Sequence, residues 1–242
     1  MTVTRLKDIP GIGVDKMGNV ADAAASSDML RLENLDTDIP PPRTAIEATL
    51  ASIGRDDANS YLPFLGLGVL RQAAAARVSA TAGHTYDPDT ECIISAGGLS
   101  GILNVLLALL EPGDEVVITD PAYAGLINRI RLAGGVPKLV PLRIAGGGWR
   151  LDLDTFADAV TDRTRAILTM SPSMPSGIVH DQAEWHAIAD AAERMDAWMH
   201  GSCTMPRWSG SFSPISPFCT PRRCRACGTA RSPSARCPRN TV

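Results

Sequence analysis

Hydrophobic and polar positions follow two different periods along the central part of the chain. Short, continuous apolar runs, which are typical of buried strands, are separated by longer segments in which apolar residues recur every three to four positions, as on one face of a helix. The runs predict strands at 92–95, 115–119, 137–142, 166–170 and 197–199, and the helical spacing predicts helices at 44–53, 67–79, 99–110, 124–133, 153–160 and 182–194. Strands that alternate with helices of this length predict an α/β domain with a mostly parallel sheet, whose ligands gather at the carboxyl ends of the strands.

The composition is that of a globular chain. With 242 residues, of which 45% are hydrophobic and 20% charged, the chain can build one large domain with a sizeable core, or a domain and an arm. The longest apolar stretch, at 102–110, contains Asn104 and is too short to cross a bilayer, and the first residues show no basic-then-apolar leader. We therefore expect neither membrane insertion nor secretion, and we expect the protein in the cytoplasm.

Charge and cysteine content divide the chain into two parts near residue 199. Residues 1–199 hold 16 Lys and Arg against 26 Asp and Glu, whereas residues 200–242 hold seven Arg and neither Lys nor acid. The last 43 residues also contain five of the six cysteines, and Cys92 is the remaining one. Two different compositions are therefore joined in this chain.

Three loops lie where a predicted strand meets a predicted helix. In the first, Gly97 and Gly98 allow the backbone to approach a ligand, and the helix that follows offers free N–H groups to an anion such as phosphate. In the second, Tyr123 can stack on a planar ring. The third, at 171–177, contains two prolines that fix a rigid turn. Each loop alone is also compatible with an ordinary connection, and only their combination is specific.

The order of these loops resembles that of the class I/II aminotransferases, the fold type I enzymes that depend on pyridoxal phosphate (PLP). The resemblance covers about residues 30–199 and rests on five segments: Tyr61-x-Pro63-x-x-Gly66-x-x-x-Leu70-Arg71, Gly97-Gly98, Pro112-Gly113-Asp114-Glu115-Val116, Pro121-Ala122-Tyr123 and Pro172-Ser173-Met174-Pro175-Ser176-Gly177. It implies the three-layer αβα fold of the large domain of an aspartate aminotransferase-like enzyme. It also implies transfer of an amino group between an amino acid and a 2-oxo acid, and a homodimer.

The same resemblance implies a cofactor site made of six residues: Tyr61, Gly97, Gly98, Leu99, Tyr123 and Met174. Backbone amides around Gly98 and Leu99 would hold the cofactor phosphate, and Tyr123 would stack on the pyridine ring. Tyr61 would approach the phosphate from a partner subunit. Met174 stands where the family has an asparagine that hydrogen-bonds the cofactor's phenolic oxygen, a bond that a thioether cannot donate. Altered cofactor electronics are therefore expected.

Groups that are essential to the family's chemistry are absent from this chain. PLP chemistry needs a lysine amine for the Schiff base and a carboxylate that keeps the pyridine nitrogen protonated, and the family supplies both after the third loop. Here the last lysine is Lys138, and no acid follows Asp196. The glycine near the substrate carboxylate has no counterpart around 33–36, and the arginine that binds this carboxylate belongs to a C-terminal small domain that the chain lacks. We therefore predict no catalytic residue, an incomplete domain, and weak cofactor binding at most.

Three interpretations of residues 200–242 are open. Cys219, Cys224, Cys227 and Cys237 among arginines suggest a small zinc module with a nucleic-acid surface, but their spacing matches no common zinc pattern and few apolar residues surround them. A disordered basic tail fits the Arg, Pro and Ser content. Arg, Pro, Ser and Cys together make up 25 of the 43 residues, a mixture that a G+C-rich gene produces when it is read out of frame.

The genetic code is compatible with a displaced reading frame after about residue 199. Synonymous codons for 221–242 and a stop, regrouped after two bases are skipped, can encode Ala-Ala-Leu-Pro-Gly-Met-Arg-Asp-Arg-Thr-Val-Thr-Val-Gly-Ser-Val-Ser-Lys-Glu-Tyr-Arg-Met. This segment resembles the missing part of the family, with Ser-x-Ser-Lys carrying the Schiff-base lysine.

The predicted organisation is an arm or partial small domain at 1–50, a partial PLP-binding large domain at 51–199, and a non-family tail, out of frame and disordered, at 200–242. Loss of the sheet's remaining strands is expected to expose the apolar side chains of Ile93, Val117 and Ile167. Lyases, decarboxylases and synthases share these loops, so another fold type I PLP reaction is the first alternative and the zinc or nucleic-acid tail is the second. The main prediction includes no metal site and no nucleic-acid partner.

Overall fold

A computed structural model describes residues 6–7, 9–11, 13–24, 30–31, 39–82, 84–203 and 218–219. Its helices are α1 (Gly13–Ala24), α2 (Arg43–Ile53), α3 (Gly68–Ala82), α4 (Gly98–Leu109), α5 (Ala124–Leu132), α6 (Leu153–Ala159) and α7 (Gln182–Arg194), and a 3₁₀ turn lies at Asp56–Asn59. Its strands are β1 (Glu115–Asp120), β2 (Val136–Ala145), β3 (Gly148–Leu151), β4 (Thr164–Ser171), β5 (Trp198–Cys203) and β6 (Phe218–Cys219).

The described strands join one sheet in the order β3-β2-β1-β4-β5-β6. The neighbours β2, β1, β4 and β5 are parallel, whereas β3 and β6 pair antiparallel at the two edges. Helices connect the parallel strands: α5 follows β1, and α7 follows β4. The predicted α/β class and the mostly parallel sheet are confirmed.

Two hydrophobic cores lie on opposite faces of the sheet, because side chains alternate along each strand. On one face, Val116 and Ile118 of β1 pack with α4 and α5, including the fully buried Ile130. On the other face, Val117 packs with α6 and α7, including the fully buried Ile188. Burial of each such Val or Ile side chain contributes about 1.5–3 kcal/mol. The result is the three-layer αβα arrangement that the family resemblance implies.

The expected exposure of core side chains is wrong at two of three positions. Val117 and Ile167 are only 1% and 2% exposed, because α6 and α7 cover that face of β1 and β4. Ile93 is 64% exposed, as expected, because it lies outside the sheet. The described sheet therefore keeps its two central faces covered.

The strand predicted at 92–95 is wrong. These residues have no regular secondary structure, and the amide of Ile94 donates to Leu65 O at 3.0 Å instead of to a strand. An apolar run becomes a strand only when a neighbouring strand pairs with it, and none of the described strands pairs with residues 92–95. The hydrophobic pattern alone did not contain this information.

A hairpin and a helix were not predicted. β2 is longer than expected and turns into β3 through Gly146 and Gly147, whose φ angles of 60° and 80° permit the tight connection. In α1, Gly18 and the scattered polar residues obscure the helical period.

The predicted tail begins within a strand. β5 crosses residue 199 and continues to Cys203, and β6 pairs antiparallel with it. Residues 33–36, and Cys224, Cys227 and Cys237 of the zinc interpretation, lie outside the described residues. The boundary at 199, the disorder and the zinc module therefore stay predictions. Within the described ranges, no group of three or more metal-ligating side chains is found, and no helix is long and apolar enough to cross a membrane.

Candidate functional site

The carboxyl ends of β1 and β4 lie side by side at one end of the sheet, which we call the carboxyl edge. The chain leaves them in opposite directions, because α5 packs on one face of the sheet and α7 on the other. Open α/β sheets bind ligands where the connections from adjacent strand ends diverge in this way. We call the region between the loop at 121–123 and the loop at 172–177 the crevice.

The amino terminus of α4 reaches the same edge. A short turn at 110–114 joins the end of α4 to the start of β1, so the helix runs antiparallel to that strand. The helix covers about 16 Å from Gly98 to Leu109, and β1 covers about 16 Å from Glu115 to Asp120, which places Gly98 at the carboxyl edge. Leu99 and Tyr123 pack against the same hydrophobic core. The structure therefore brings the first two predicted loops together.

Within the part of the chain that the structure describes, no side chain caps the amino terminus of α4. Gly97 occupies the N-cap with φ at 86°, which favours glycine, and it has no side chain that could accept a hydrogen bond from the first turn. The helices α2 and α5 likewise have no side-chain cap, whereas α6 and α7 begin at Asp152 and Asp181, whose carboxylates accept amide protons of the first turn. The first turn of α4 also contains no acid. Its N–H groups and the partial positive charge of the helix end are therefore suited to an anion.

Ser95 holds the loop that precedes α4. Its hydroxyl donates to Gly97 O at 3.0 Å, and the amide of Gly97 donates to Ser95 O at 2.8 Å. A Cβ on Gly101 would lie 2.8 Å from Ser95 Oγ, so glycine at this position allows the close approach. Contacts within the chain therefore fix the conformation of the loop.

Tyr123 stands at the N-cap of α5. Its ring lies so close to Gly125 that a Cβ there would be 2.5 Å from Tyr123 Cε1. The side chain is half-buried against the core between the sheet, α4 and α5. A ring held in this way near the α4 terminus can stack on a planar ligand whose phosphate binds that terminus.

Met174 lies in the third loop, and 37% of the residue is exposed. Two hydrogen bonds close this loop: the amide of Ser173 donates to Ile178 O at 3.0 Å, and the amide of Gly177 donates to Ser173 O at 2.7 Å. The side chain at 174 offers a thioether and no hydrogen-bond donor.

The structure does not bring Tyr61 to the other predicted site residues. Its side chain is fully exposed and packs against nothing in the part of the chain that the structure describes. At the other end of the same motif, Arg71 donates from Nε to Gly66 O at 3.3 Å and from Nη1 to Pro88 O at 2.6 Å. The arginine therefore ties two turns together, while the tyrosine faces solvent.

Lys138 lies at the opposite end of the sheet. It pairs in register with Val117, and its Nζ is 3.9 Å from Oε1 of Glu115, the first residue of β1. From Glu115 to Asp120 the strand covers about 16 Å. The last lysine of the sequence is therefore directed away from the crevice.

Charged side chains at this opposite end, the amino edge, pair with one another. Buried Glu115 accepts hydrogen bonds from Thr161 Oγ1 at 2.6 Å and from Arg163 Nη2 at 2.5 Å. The Thr161 hydrogen bond, and after it the Arg163 guanidinium, lowers the pKa of Glu115 below its usual value, against the effect of burial. Arg165 Nε lies 3.7 Å from Asp114 Oδ2. These charges stabilise the start of β1.

The sequence analysis missed a buried hydrogen-bonded cluster beside the third loop. His180 Nδ1 lies 3.1 Å from Glu184 Oε2, and His180 Nε2 lies 2.9 Å from Thr169 Oγ1. Burial lowers the pKa of His180 below its usual value, although Glu184 acts in the opposite direction. The Asp-x-x-Glu spacing of a helix capping box, starting at Asp181, was a sequence signal for Glu184. The contact with Thr169 depends on tertiary packing and leaves no such signal.

Comparisons with known proteins bear on the family and the fold of this chain. The family model described as Aminotransferase class I and II matches residues 27–199. The chain is 38% identical over 152 residues to a probable N-succinyldiaminopimelate aminotransferase DapC of Mycobacterium tuberculosis. The aligned segment covers 63% of this chain and 38% of the relative. The chain is 31% identical over 191 residues to a probable aspartate/prephenate aminotransferase of Aquifex aeolicus, covering 78% of this chain and 44% of that protein.

A solved structure shows the same fold. The chain superposes on the N-succinyldiaminopimelate aminotransferase from Mycobacterium tuberculosis with a TM-score of 0.73 and 32% identity, covering 83% of this chain and 51% of that one. The chain thus spans less than half the length of these two curated relatives, at 38% and 44%. Because the family model matches more than half of its residues, this chain belongs to the class I and II aminotransferases.

Proposed function

We propose that this chain is the cofactor-binding part of a cytoplasmic, PLP-dependent aminotransferase that moves an amino group between an amino acid and a 2-oxo acid. The observation that carries the proposal is the uncapped amino terminus of α4, which lies at the carboxyl edge beside Tyr123. When bound, PLP supplies an electron-withdrawing ring that stabilises charge on a substrate carbon. The relatives reported above are named aminotransferases, which favours amino-group transfer over a lyase, decarboxylase or synthase reaction.

The residues at the carboxyl edge fit one part of this cofactor and not another. The N–H groups that begin α4, at Gly98 and Leu99, suit the phosphate, and the Tyr123 ring suits the planar face. Met174 offers no donor to the ring oxygen. Lys138 is paired with Glu115 at the amino edge, so its amine does not serve for covalent attachment. We therefore assign binding and orientation to this chain, and no catalytic step.

Two matched glycine variants test the binding site. Gly97 and Gly113 both have positive φ angles, 86° and 95°, and both have open space where a Cβ would be placed. Gly97→Ala and Gly113→Ala therefore impose a similar backbone strain, but only Gly97 adjoins the α4 terminus. In a fluorescence titration with PLP, we expect Gly97→Ala to weaken binding at least tenfold and Gly113→Ala to leave it unchanged. Equal affinities for both variants would contradict the proposed site.

A separate experiment tests catalytic incompetence. The chain is incubated with PLP, reduced with borohydride, and examined by intact-mass spectrometry. We expect no stoichiometric pyridoxyl adduct, because no lysine follows the third loop in this sequence and Lys138 forms an ion pair at the amino edge. A stoichiometric adduct on a single lysine, together with turnover of an amino acid and a 2-oxo acid, would refute this part of the proposal.

We further propose that residues from about 200 onward are translated in a displaced reading frame. The change in composition, the loss of all lysine and acid, and the end of the family match at 199 support this. Sequencing of the gene tests it directly. A one-base or two-base correction near codon 199 is expected to open a long frame that contains Ser-x-Ser-Lys, and the proposal fails if no such frame opens.

We also propose that the protein forms a homodimer through its exposed apolar segment at 46–70. α2 has no buried residue, and Phe64 and Tyr61 are fully exposed. Large apolar side chains that are exposed to this extent are typical of an interface. Sedimentation equilibrium is expected to show self-association that Phe64→Glu weakens. A monomer at every concentration would contradict the proposal.

A further inference from the structure

His180 links three structural elements beside the loop that carries Met174. Its side chain contacts Thr169 on β4 and Glu184 on α7, and its backbone amide donates to Ser171 Oγ at 3.1 Å. We propose that neutral His180 is a positioning residue that fixes the loop at 172–178 against the carboxyl edge, and that protonation of its ring releases this loop. Only the relevance of the loop to PLP rests on the proposed function.

The hydrogen bonds that the Glu184 carboxylate accepts determine which nitrogen of His180 carries its proton. Glu184 Oε1 accepts from the amide of Leu151 at 2.7 Å, and Oε2 accepts from the amide of Asp181 at 3.0 Å. An ionised carboxylate can only accept, so His180 Nδ1 donates to it. In the neutral ring Nε2 is then unprotonated, and it accepts the hydroxyl proton of Thr169.

The two hydroxyl groups that bind His180 belong to one face of β4. Thr169 and Ser171 are two positions apart, and alternate residues of a strand point to the same side. Thr169 binds the ring of His180, and Ser171 binds its backbone amide. The returning end of the loop is therefore attached at two points to the strand from which the loop departs.

A proton on Nε2 conflicts with this arrangement. Nε2 would become a donor facing the Thr169 hydroxyl that now donates to it, and the ring would carry a charge in a buried position. Two charged groups face the ring, Glu184 on α7 and Asp181 at its N-cap, and both favour the protonated form. Thr169 and Ser171 on β4 and the ring of Trp185 carry no charge.

Burial outweighs these two carboxylates, so the pKa of His180 lies below its usual value of 6.5. Opening of the loop hydrates the ring and removes that effect. The open state therefore binds the proton more tightly than the closed state, and acid favours opening by linkage. The closed loop has its full stability above about pH 6.5 and loses it as the pH falls.

Hydrogen exchange of the full chain tests this positioning role without any cofactor. The amides of Ser173 and Gly177, whose hydrogen bonds close the loop, report opening, and a peptide from β1 reports global unfolding. After correction for intrinsic rates, we expect loop protection to fall below about pH 6.5, by at most about tenfold per pH unit, while β1 stays protected.

Three substitutions separate the chemical role of His180 from its volume. His180→Phe keeps a ring but removes both side-chain hydrogen bonds, so the loop should exchange at least tenfold faster at pH 8. His180→Gln keeps a donor and an acceptor but does not titrate, so it should retain protection and lose the pH step. His186→Gln, on the exposed side of the same helix, should keep the step.

Three possible results of these hydrogen-exchange measurements would overturn the proposal. A pH step that persists in His180→Gln, or no step in the unchanged chain, overturns the proposal. A loss of protection in His180→Phe that is equal in the loop and in β1 also overturns it, because it would reflect general destabilisation. Because none of these measurements uses PLP, they can succeed or fail independently of the proposed cofactor site.

Discussion

Replacement of Glu184 by glutamine is expected to destabilise the domain far more than its small chemical change suggests. Three hydrogen-bond donors converge on the buried carboxylate: the amide of Leu151 at 2.7 Å, the amide of Asp181 at 3.0 Å, and His180 Nδ1 at 3.1 Å. A carboxylate accepts with both oxygens, whereas a side-chain amide has one oxygen and one NH₂ group. In either orientation, the NH₂ group of the introduced glutamine would face a donor.

The size of the destabilisation follows from the buried N–H donor that loses its acceptor when Glu184 becomes glutamine. A buried donor without a partner costs about 1–3 kcal/mol, and loss of the charge weakens the remaining bonds by roughly another 1 kcal/mol. We therefore expect Glu184→Gln to lower the free energy of unfolding by about 2–4 kcal/mol. Typical domains have a total of about 5–15 kcal/mol, so this loss would be large.

Urea unfolding at pH 8, followed by tryptophan fluorescence, measures the effect. The fluorescence of Trp185 reports unfolding of this cluster directly, because the centre of its ring lies 5.3 Å from that of the His180 ring. Asp181→Asn is the matched control: it removes a carboxylate one turn away, but asparagine caps a helix as well as aspartate, so the change should stay below about 0.5 kcal/mol. If Glu184→Gln and Asp181→Asn shift the urea midpoint equally, the three-donor argument is wrong.

Two further predictions concern packing and acid stability. Gly135→Ala would place a Cβ 2.8 Å from Leu110 Cδ1 and 3.1 Å from Ile130 Cγ2, so urea unfolding should show a loss of about 1–3 kcal/mol, whereas Gly148→Ala, in open space, should show almost none. The lowered pKa of Glu115 means that its contribution is complete above its usual value of 4.5 and is lost as the pH falls below it. Glu115→Gln should therefore be less stable at neutral pH and show a shallower loss below pH 4.5; an unchanged slope would contradict this.

The hydrophobic pattern was sufficient to predict most of the central sheet. Strands such as β1 and β4 are buried on both faces, so their apolar runs are continuous and easily recognised. The same rule failed at 92–95, because pairing requires a neighbour that no local pattern reveals. It also overlooked β3, whose four residues follow a glycine turn and show no run of their own.

The predicted loops and the missed cluster differ in their sequence signals. Gly97 and Tyr123 lie in loops between a predicted strand and a helix, where α/β proteins bind ligands, and the structure brings these loops to one edge. The link between His180 and Thr169 joins residues on different elements, and the stacking of those elements creates it. The shared crevice and the position of Lys138 at the opposite edge likewise emerge from the strand order.

The separation between the two ends of the sheet has a consequence for how this scaffold can diversify. Charge pairs that stabilise folding gather around Glu115, whereas the loops suited to a ligand follow Asp120 and Ser171. These regions lie about 16 Å apart, beyond the roughly 7–10 Å within which substitutions usually influence one another. Mutations that change ligand preference at one end should therefore combine additively with mutations that change stability at the other. An evolving lineage can therefore change the ligand that binds at the carboxyl edge without compensating changes in the amino-edge ion pairs.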